Sequence, residues 1–413
     1  MVIYVKKIFK IMFIAILFMN IIGKVYADDI EENFDKKDIE EIIETSSKYE
    51  ENISVNSRIA VAFDRASGRV IWGKNEKKKT AMASTTKIMT AIVVIENANL
   101  NDVVEVSSKS ASTGGSRLGL KKGDKISVRD LLYGLMLKSG NDTAVALAEH
   151  VGGDVENFAV LMNNKACSLN LENTHFVTPH GLDDPEHYTT AYELAKIADY
   201  ALKNDIFKKI VGTKNYTVLI NGYPKDICNT NELLGNYSGV YGVKTGFTNN
   251  AGRCLVTAVK KENVDIITVV LQADTKKDRA NDSVKIINYI CNNYQSVNLE
   301  NIVNDEFYNW CNINNKRFNV YRAKQYNINF DKDELKYKFL LINRNEIKNI
   351  KIQINAIFEY EAPVSQNTKL GEVKVFLGDE LLEVNNIYIK NEILRKDFFD
   401  YFLECMKSIS NII

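Results

Sequence analysis

Ser84 and Lys87 stand three positions apart in the run AMASTTKIMTA, at the mouth of a long apolar segment, KIMTAIVVIENA. On a helix, residues at i and i+3 share a face about 5–6 Å apart, so the amine reaches the hydroxyl without help from tertiary structure. A serine hydroxyl is a weak nucleophile until a base takes its proton, and a neutral amine is such a base. Free lysine is protonated near neutral pH, so burial or a neighbouring cation has to tune it. A serine at a helix N-terminus also lies where backbone N–H groups favour a developing oxyanion. Taken alone, the pair fits a capping serine beside a solvated lysine just as well.

Two further motifs supply what such a pair would need. Ser139-Gly140-Asn141 forms the polar break in SVRDLLYGLMLKSGNDTAVALAEHVGG. Its hydroxyl can relay a proton and its amide can hold a substrate carbonyl, although Ser, Gly and Asn are also ordinary turn residues. Lys244-Thr245-Gly246 closes the strand-like run GVYGVKTG. There Gly246 lets a substrate backbone approach a strand edge, Thr245 offers a hydroxyl to a carboxylate, and Lys244 offers a charge. Each motif has a plain structural reading. In this order, S-x-x-K, S-G-N and K-T-G form the set used by penicillin-binding proteins and class A β-lactamases, there with S-D-N in the middle position.

The sequence resembles the low-molecular-mass penicillin-binding proteins that are D-alanyl-D-alanine carboxypeptidases. The likeness extends to GSRLGLKKGDKISVRDLLYGLMLKSGNDTAVALAE, NTHFVTPHGLDDPEHYTTAYELA, GVYGVKTGFTNNAGRCL and EAPVSQNTKLGEVKVFLGDE, and covers roughly residues 54 to 390. It implies an α/β (α+β) fold of the DD-peptidase/serine β-lactamase type, with an antiparallel sheet and a helical subdomain. It implies Ser84 as acylated nucleophile and Lys87 as its base, with Ser139 and Lys244 sharing proton transfer to the leaving group. Asn141 would position the substrate amide, and the Ser84 and Phe247 backbone N–H groups would form the oxyanion hole. Lys244, Thr245, Gly246 and Phe247 would line the substrate, and Arg279, in KKDRANDS, would help bind the terminal carboxylate. Phe247 stands where some relatives carry His, a change that a backbone donor tolerates. The implied partners are peptidoglycan pentapeptide stems and, as inhibitors, β-lactams; no cofactor and no metal are implied.

Several elements must position these residues. Two apolar runs flanking Ser67-Gly68, in RIAVAFDRASGRVIWGKN, predict a hairpin, and SGVYGVKTGF, RCLVTAVKK and VDIITVVLQA predict an antiparallel meander. One sheet gathering both ends of a domain over 54–295, with helices packed on it, is the economical arrangement. Short strand-like runs over 296–390 predict a small all-β, sandwich-like domain. In 391–413, Leu394, Phe398, Phe402, Cys405, Met406 and Ile409 fall on one helical face and Lys396, Asp400, Glu404 and Lys407 on the other. That pattern fits an amphipathic helix lying in a membrane interface. At the other end, Lys6, Lys7 and Lys10 precede an apolar stretch and KVYA, a signal peptide over 1–27 with cleavage after Ala27. The acidic stretch 28–53 reads as a solvated tether or frayed helix. The protein is therefore expected at the outer face of the cytoplasmic membrane or in the cell wall.

Composition limits the other readings. The 413 residues carry 53 basic and 53 acidic side chains, so no global field argues for nucleic acid. Cys167, Cys228, Cys254, Cys291, Cys311 and Cys405 show no paired spacing and predict free thiols. His150, His175, His180 and His187 include no H-E-x-x-H, so zinc-peptidase chemistry is not expected. The loop holding three of them is expected to floor the site, shaped by Pro179 and Gly181, with Asp183, Asp184 and Glu186 as a solvated turn. A β-lactamase is the nearest alternative, but the E-x-x-L-N string of class A enzymes is absent between the second and third motifs. A non-catalytic muropeptide- or penicillin-binding module would not require a base beside the serine.

Overall fold

Two runs with almost no polar side chain, IAVAFD and VDIITVVLQA, can leave neither face in water and so become central strands. In the computed structural model, which describes residues 36–45, 52–325 and 328–410, they are β1 (Ile59–Asp64) and β5 (Val264–Ala273). They pair antiparallel, Ala62 opposite Thr268. With β2 (Val70–Lys74), β3 (Val240–Thr248) and β4 (Gly252–Lys261) they form one antiparallel sheet in the order β2-β1-β5-β4-β3. The hairpin and the meander thus meet in one sheet. The expected leader and its cleavage site lie outside the described residues.

The chain divides into two units, Met1–Asn292 and Asn293–Ile413. In the first, α2 (Lys87–Asn97) is the hub: every side chain from Lys87 to Val94 is buried. It packs against α3 (Val128–Leu137), α4 (Asn141–Gly152) and α5 (Ala191–Leu202), and α5 lies on β1 and β5. The core runs through all of these elements. After β5, α6 (Lys276–Asn293) returns to the sheet's starting end. There the fully buried Asp282 carboxylate accepts from Ser57 N at 2.7 Å, Ser57 Oγ at 2.5 Å and Asn56 N at 3.1 Å.

Of the two readings of the acidic stretch, a solvated tether or a frayed helix, residues 36–45 take the helical one: α1 (Lys36–Thr45) buries Ile39 and Ile42, and Glu41 pairs with Lys277 at 2.8 Å. Two apolar side chains at i and i+3 give even this charged segment one face to bury.

The second unit carries a four-stranded antiparallel sheet, Phe330–Lys332, Glu380–Ile389, Lys369–Leu377 and Ile350–Ala356 in spatial order. It is not purely β. Helix α7 (Leu299–Asn314) buries Leu299 and Val303, and Trp310 packs on Phe318, Phe330 and Phe358. The terminal helix α8 (Phe398–Ser410) is described below.

Replacing Asp282 by alanine leaves the Ser57 and Asn56 donors without their acceptor. The expected cost is about 2–3 kcal/mol of unfolding free energy, read as a lowered urea midpoint. Asp282→Asn, which keeps an acceptor oxygen, should cost less.

Candidate active site

A 3-10 turn, Ala83–Thr86, leads into α2, so Ser84 sits on the turn and Lys87 at the first helical position. Ala83 takes a left-handed backbone, φ +48°, a conformation that costs a non-glycine residue energy and that the surroundings must hold. Lys87 is 0% exposed. Its Nζ lies 2.7 Å from Ser84 Oγ, 2.7 Å from Asn141 Oδ1 and 2.8 Å from the His180 carbonyl oxygen. Burial pushes the amine well below its ordinary range, the Lys244 charge adds to this, and Asp142 opposes it. A neutral amine has two N–H donors and one lone pair. In that form the two carbonyl-type oxygens would take the donors and leave the lone pair for the Ser84 hydroxyl.

Asn141 opens α4 and is held at both ends of its amide. Oδ1 accepts from Lys87, and Nδ2 donates to Gly114 O at 2.7 Å. The sequence places this amide on the substrate; here its carbonyl end meets the lysine and its donor end meets the Gly114 carbonyl. Asp142, fully buried, accepts from Leu118 N, Gly119 N and Leu120 N at 2.8–3.0 Å and so fixes the loop that supplies Gly114. Ser139, between α3 and α4, is buried and left-handed, φ +61°.

Strand β3 brings the third motif alongside. A Cβ at Gly246 would lie 3.0 Å from Ser84 N and 3.1 Å from Thr85 N, so this edge touches the Ser84 turn and needs glycine. Lys244 and Thr245 are each 1% exposed. Lys244 Nζ donates to Thr245 O at 2.9 Å, and the Thr245 hydroxyl lies 2.7 Å from that of Thr230. The Arg253 guanidinium stacks on the Phe247 ring at 3.8 Å. Arg279 does not present a free guanidinium: it is 1% exposed and bidentate to Glu232, with Nε donating to Oε1 at 3.1 Å and Nη2 to Oε2 at 3.0 Å. Burial of a charge demands such a partner.

The loop between Val177 and Tyr188 contributes more than a floor. Pro179 O accepts from Thr90 Oγ1 at 2.6 Å, and His180 O accepts from Lys87. Gly181, φ +85°, passes so close that a Cβ would lie 1.9 Å from Ala83 O. His187 Nδ1 accepts from Val177 N at 3.0 Å, so its proton is on Nε2, which donates to Thr86 Oγ1 at 2.8 Å. Asp183, expected in a solvated turn, accepts from Thr248 Oγ1 at 2.5 Å. The sequence signalled the two shaping residues but not these bonds, because a backbone carbonyl carries no signature and Asp183 acts on a residue 65 positions away.

Residues 45–275 match the family described as D-alanyl-D-alanine carboxypeptidase, and residues 327–395 match that described as Penicillin-binding protein 5, C-terminal domain. The chain is 32% identical to the D-alanyl-D-alanine carboxypeptidase DacF of Bacillus subtilis, over 85% of this chain and 89% of that protein. It is 39% identical to the D-alanyl-D-alanine carboxypeptidase of a Streptomyces strain, K15, over 55% of this chain and 84% of that one. The crystal structure of penicillin binding protein 5 from Haemophilus influenzae superposes with a TM-score of 0.67 at 27% identity, covering 83% of this chain and 99% of that one.

His187 gives the site a pH dependence. Burial lowers its pKa from 6.5 to about 4, with Asp184 opposing and His175 adding to the shift. Between these values the unfolded chain holds more protons on this ring than the folded one, so stability rises with pH across the window. The contribution, on the order of 3 kcal/mol, is complete above the unfolded value and is lost as pH falls through the folded one. A series of melting temperatures from pH 7 to pH 4 should fall, and His187→Gln should flatten part of that slope.

Proposed function

We propose, from the premise that the chain belongs to the D-alanyl-D-alanine carboxypeptidase family, that Ser84 is the nucleophile through which it works. The protein is a serine-type peptidase of the low-molecular-mass penicillin-binding class, and its family acts on peptidoglycan stem peptides and binds β-lactams. The observation that carries the assignment is the Lys87 amine, buried, lowered in pKa and 2.7 Å from Ser84 Oγ.

Lys87 takes the Ser84 proton as Oγ attacks the penultimate carbonyl of a stem ending in D-Ala-D-Ala. The Ser84 and Phe247 backbone N–H groups receive the oxyanion. Ser139 and Lys244 carry a proton to the departing amine, so that D-alanine leaves, and water then resolves the acyl-enzyme. Asn141 serves by orienting Lys87. The terminal carboxylate falls to Lys244 and the Thr245 hydroxyl, since Arg279 is committed to Glu232. A β-lactam enters the same steps in place of the peptide. Nothing in the site favours a β-lactamase over this reading.

Export by the leader over 1–27 places this chemistry outside the cytoplasm, where its substrate is. The second unit, together with α8, gives it a membrane contact. Asp397 and Asp400 pair with Lys324 at 2.7 and 3.0 Å, while Phe398, Phe402, Met406 and Ile409 are all more than half exposed. The start of the helix is tied to its own unit through Asp397 and Asp400, and from Tyr401 to Ile409 every residue is exposed, which leaves the apolar face open to a membrane surface. Among the described residues no helix is long and apolar enough to cross a membrane.

Benzylpenicillin treatment followed by peptide mass spectrometry should find the adduct on Ser84, and a D-Ala-D-Ala pentapeptide should release D-alanine. Lys87→Ala should slow acylation by about 10²–10⁴-fold while melting cooperatively; near-normal labelling would remove Lys87 from its role. The protein should co-sediment with phosphatidylglycerol vesicles, and Phe398→Asp with Phe402→Asp should abolish this without changing D-alanine release.

A further inference from the structure

The oxyanion hole proposed above draws its two donors from different parts of the fold: Ser84 N from the turn before α2, and Phe247 N from the end of β3. Such donors act only when both lie near 3 Å from the same point, so their separation must be held to a fraction of an ångström. Contact between Gly246 and the turn sets how closely the two parts approach. It does not reach the end of β3, which pairs with β4 as far as Thr248 opposite Gly252 and is followed by a turn in which Asn249 and Asn250 are both exposed.

The loop between Val177 and Tyr188 reaches both parts. On the nucleophile side, His187 donates to Thr86 Oγ1, which donates to Ala83 O at 2.8 Å, and Gly181 lies against that same carbonyl. On the strand side, Asp183 Oδ1 accepts from Thr248 Oγ1 at 2.5 Å, and Oδ2 accepts from Asn250 N at 3.4 Å. Thr248 Oγ1 also accepts from Ala251 N at 3.1 Å, so one hydroxyl joins the turn to the carboxylate. Thr248 is buried and adjacent to the Phe247 donor.

We propose that Asp183 is a positioning residue of the reaction: through Thr248 it fastens the end of β3 to the loop that also holds the nucleophile turn, and so sets the spacing of the two oxyanion donors. The proposal rests on the assignment of Ser84 and Phe247 as those donors. Asp183 is itself exposed, and its removal opens no cavity in the core. Its effect therefore falls on the rate of bond formation rather than on folding or on the first encounter with substrate.

The test measures acylation of the full chain by benzylpenicillin as a function of concentration. It separates the limiting acylation rate constant from the dissociation constant of the preceding complex. Asp183→Ala and Thr248→Val should each lower the rate constant about 10- to 100-fold, with the dissociation constant nearly unchanged. The double variant should be no slower than the slower single one, and Asp183→Asn and Thr248→Ser, which keep an acceptor or a hydroxyl, should recover most of the loss. Rate constants within about twofold of wild type in both single variants would overturn the proposal, as would losses that multiply in the double variant. If wild type itself forms no adduct on Ser84, the assignment of the site fails, an outcome separate from any difference among the variants.

Discussion

A primary amine cut off from water is the constraint on which the first unit turns. An ammonium ion in that position would be costly, and the fold answers by supplying an environment suited to the uncharged form. Two carbonyl-type oxygens from distant segments, Asn141 Oδ1 and His180 O, meet at Lys87 together with Ser84 Oγ. Each of these segments is in turn anchored by a buried polar group: Asp142 holds the loop supplying Gly114, and Thr90 holds Pro179. Lys244 brings a second positive charge near the first, and Asp142 moderates it. The geometry around one nitrogen thus depends on segments spread over more than half of the unit.

Most of those segments are not regular elements. Ala83 and Ser139 both adopt left-handed backbones, and Gly181 is wedged against Ala83 O. Such positions cost energy and need support from their surroundings; at Ala83 the Thr86 hydroxyl donates to the carbonyl. The rigid parts, α2 and β3, provide the axes on which the irregular parts are fixed. Function then depends on small polar fasteners whose loss would leave the core intact.

The parts of this arrangement legible in the sequence were those with a local period or a short spacing. The meeting of Ser84 and Lys87 follows from helical geometry, and the sheet follows from runs that cannot face water. The environment of Lys87 was less accessible. Its acceptors include a backbone carbonyl, which any residue could supply, and an amide that the sequence assigned to substrate. The commitment of Arg279 to Glu232 spans 47 positions, and nothing in either neighbourhood marks it. In the second unit, Leu299, Val303, Phe307 and Trp310 form a helical stripe that a polar, asparagine-rich context concealed. In α1, the count of acidic residues outweighed two isoleucines that nonetheless found a surface to cover.

Asn141 has a consequence for the durability of the enzyme. Its side chain offers the lysine an acceptor without a charge, and only an amide does that with this shape. Hydrolysis of the amide to a carboxylate would leave the outline of the residue nearly unaltered. It would also place an anion against the nitrogen and favour the ammonium. A slow chemical ageing of one side chain would therefore silence the molecule while leaving it folded and hardly changed in mass.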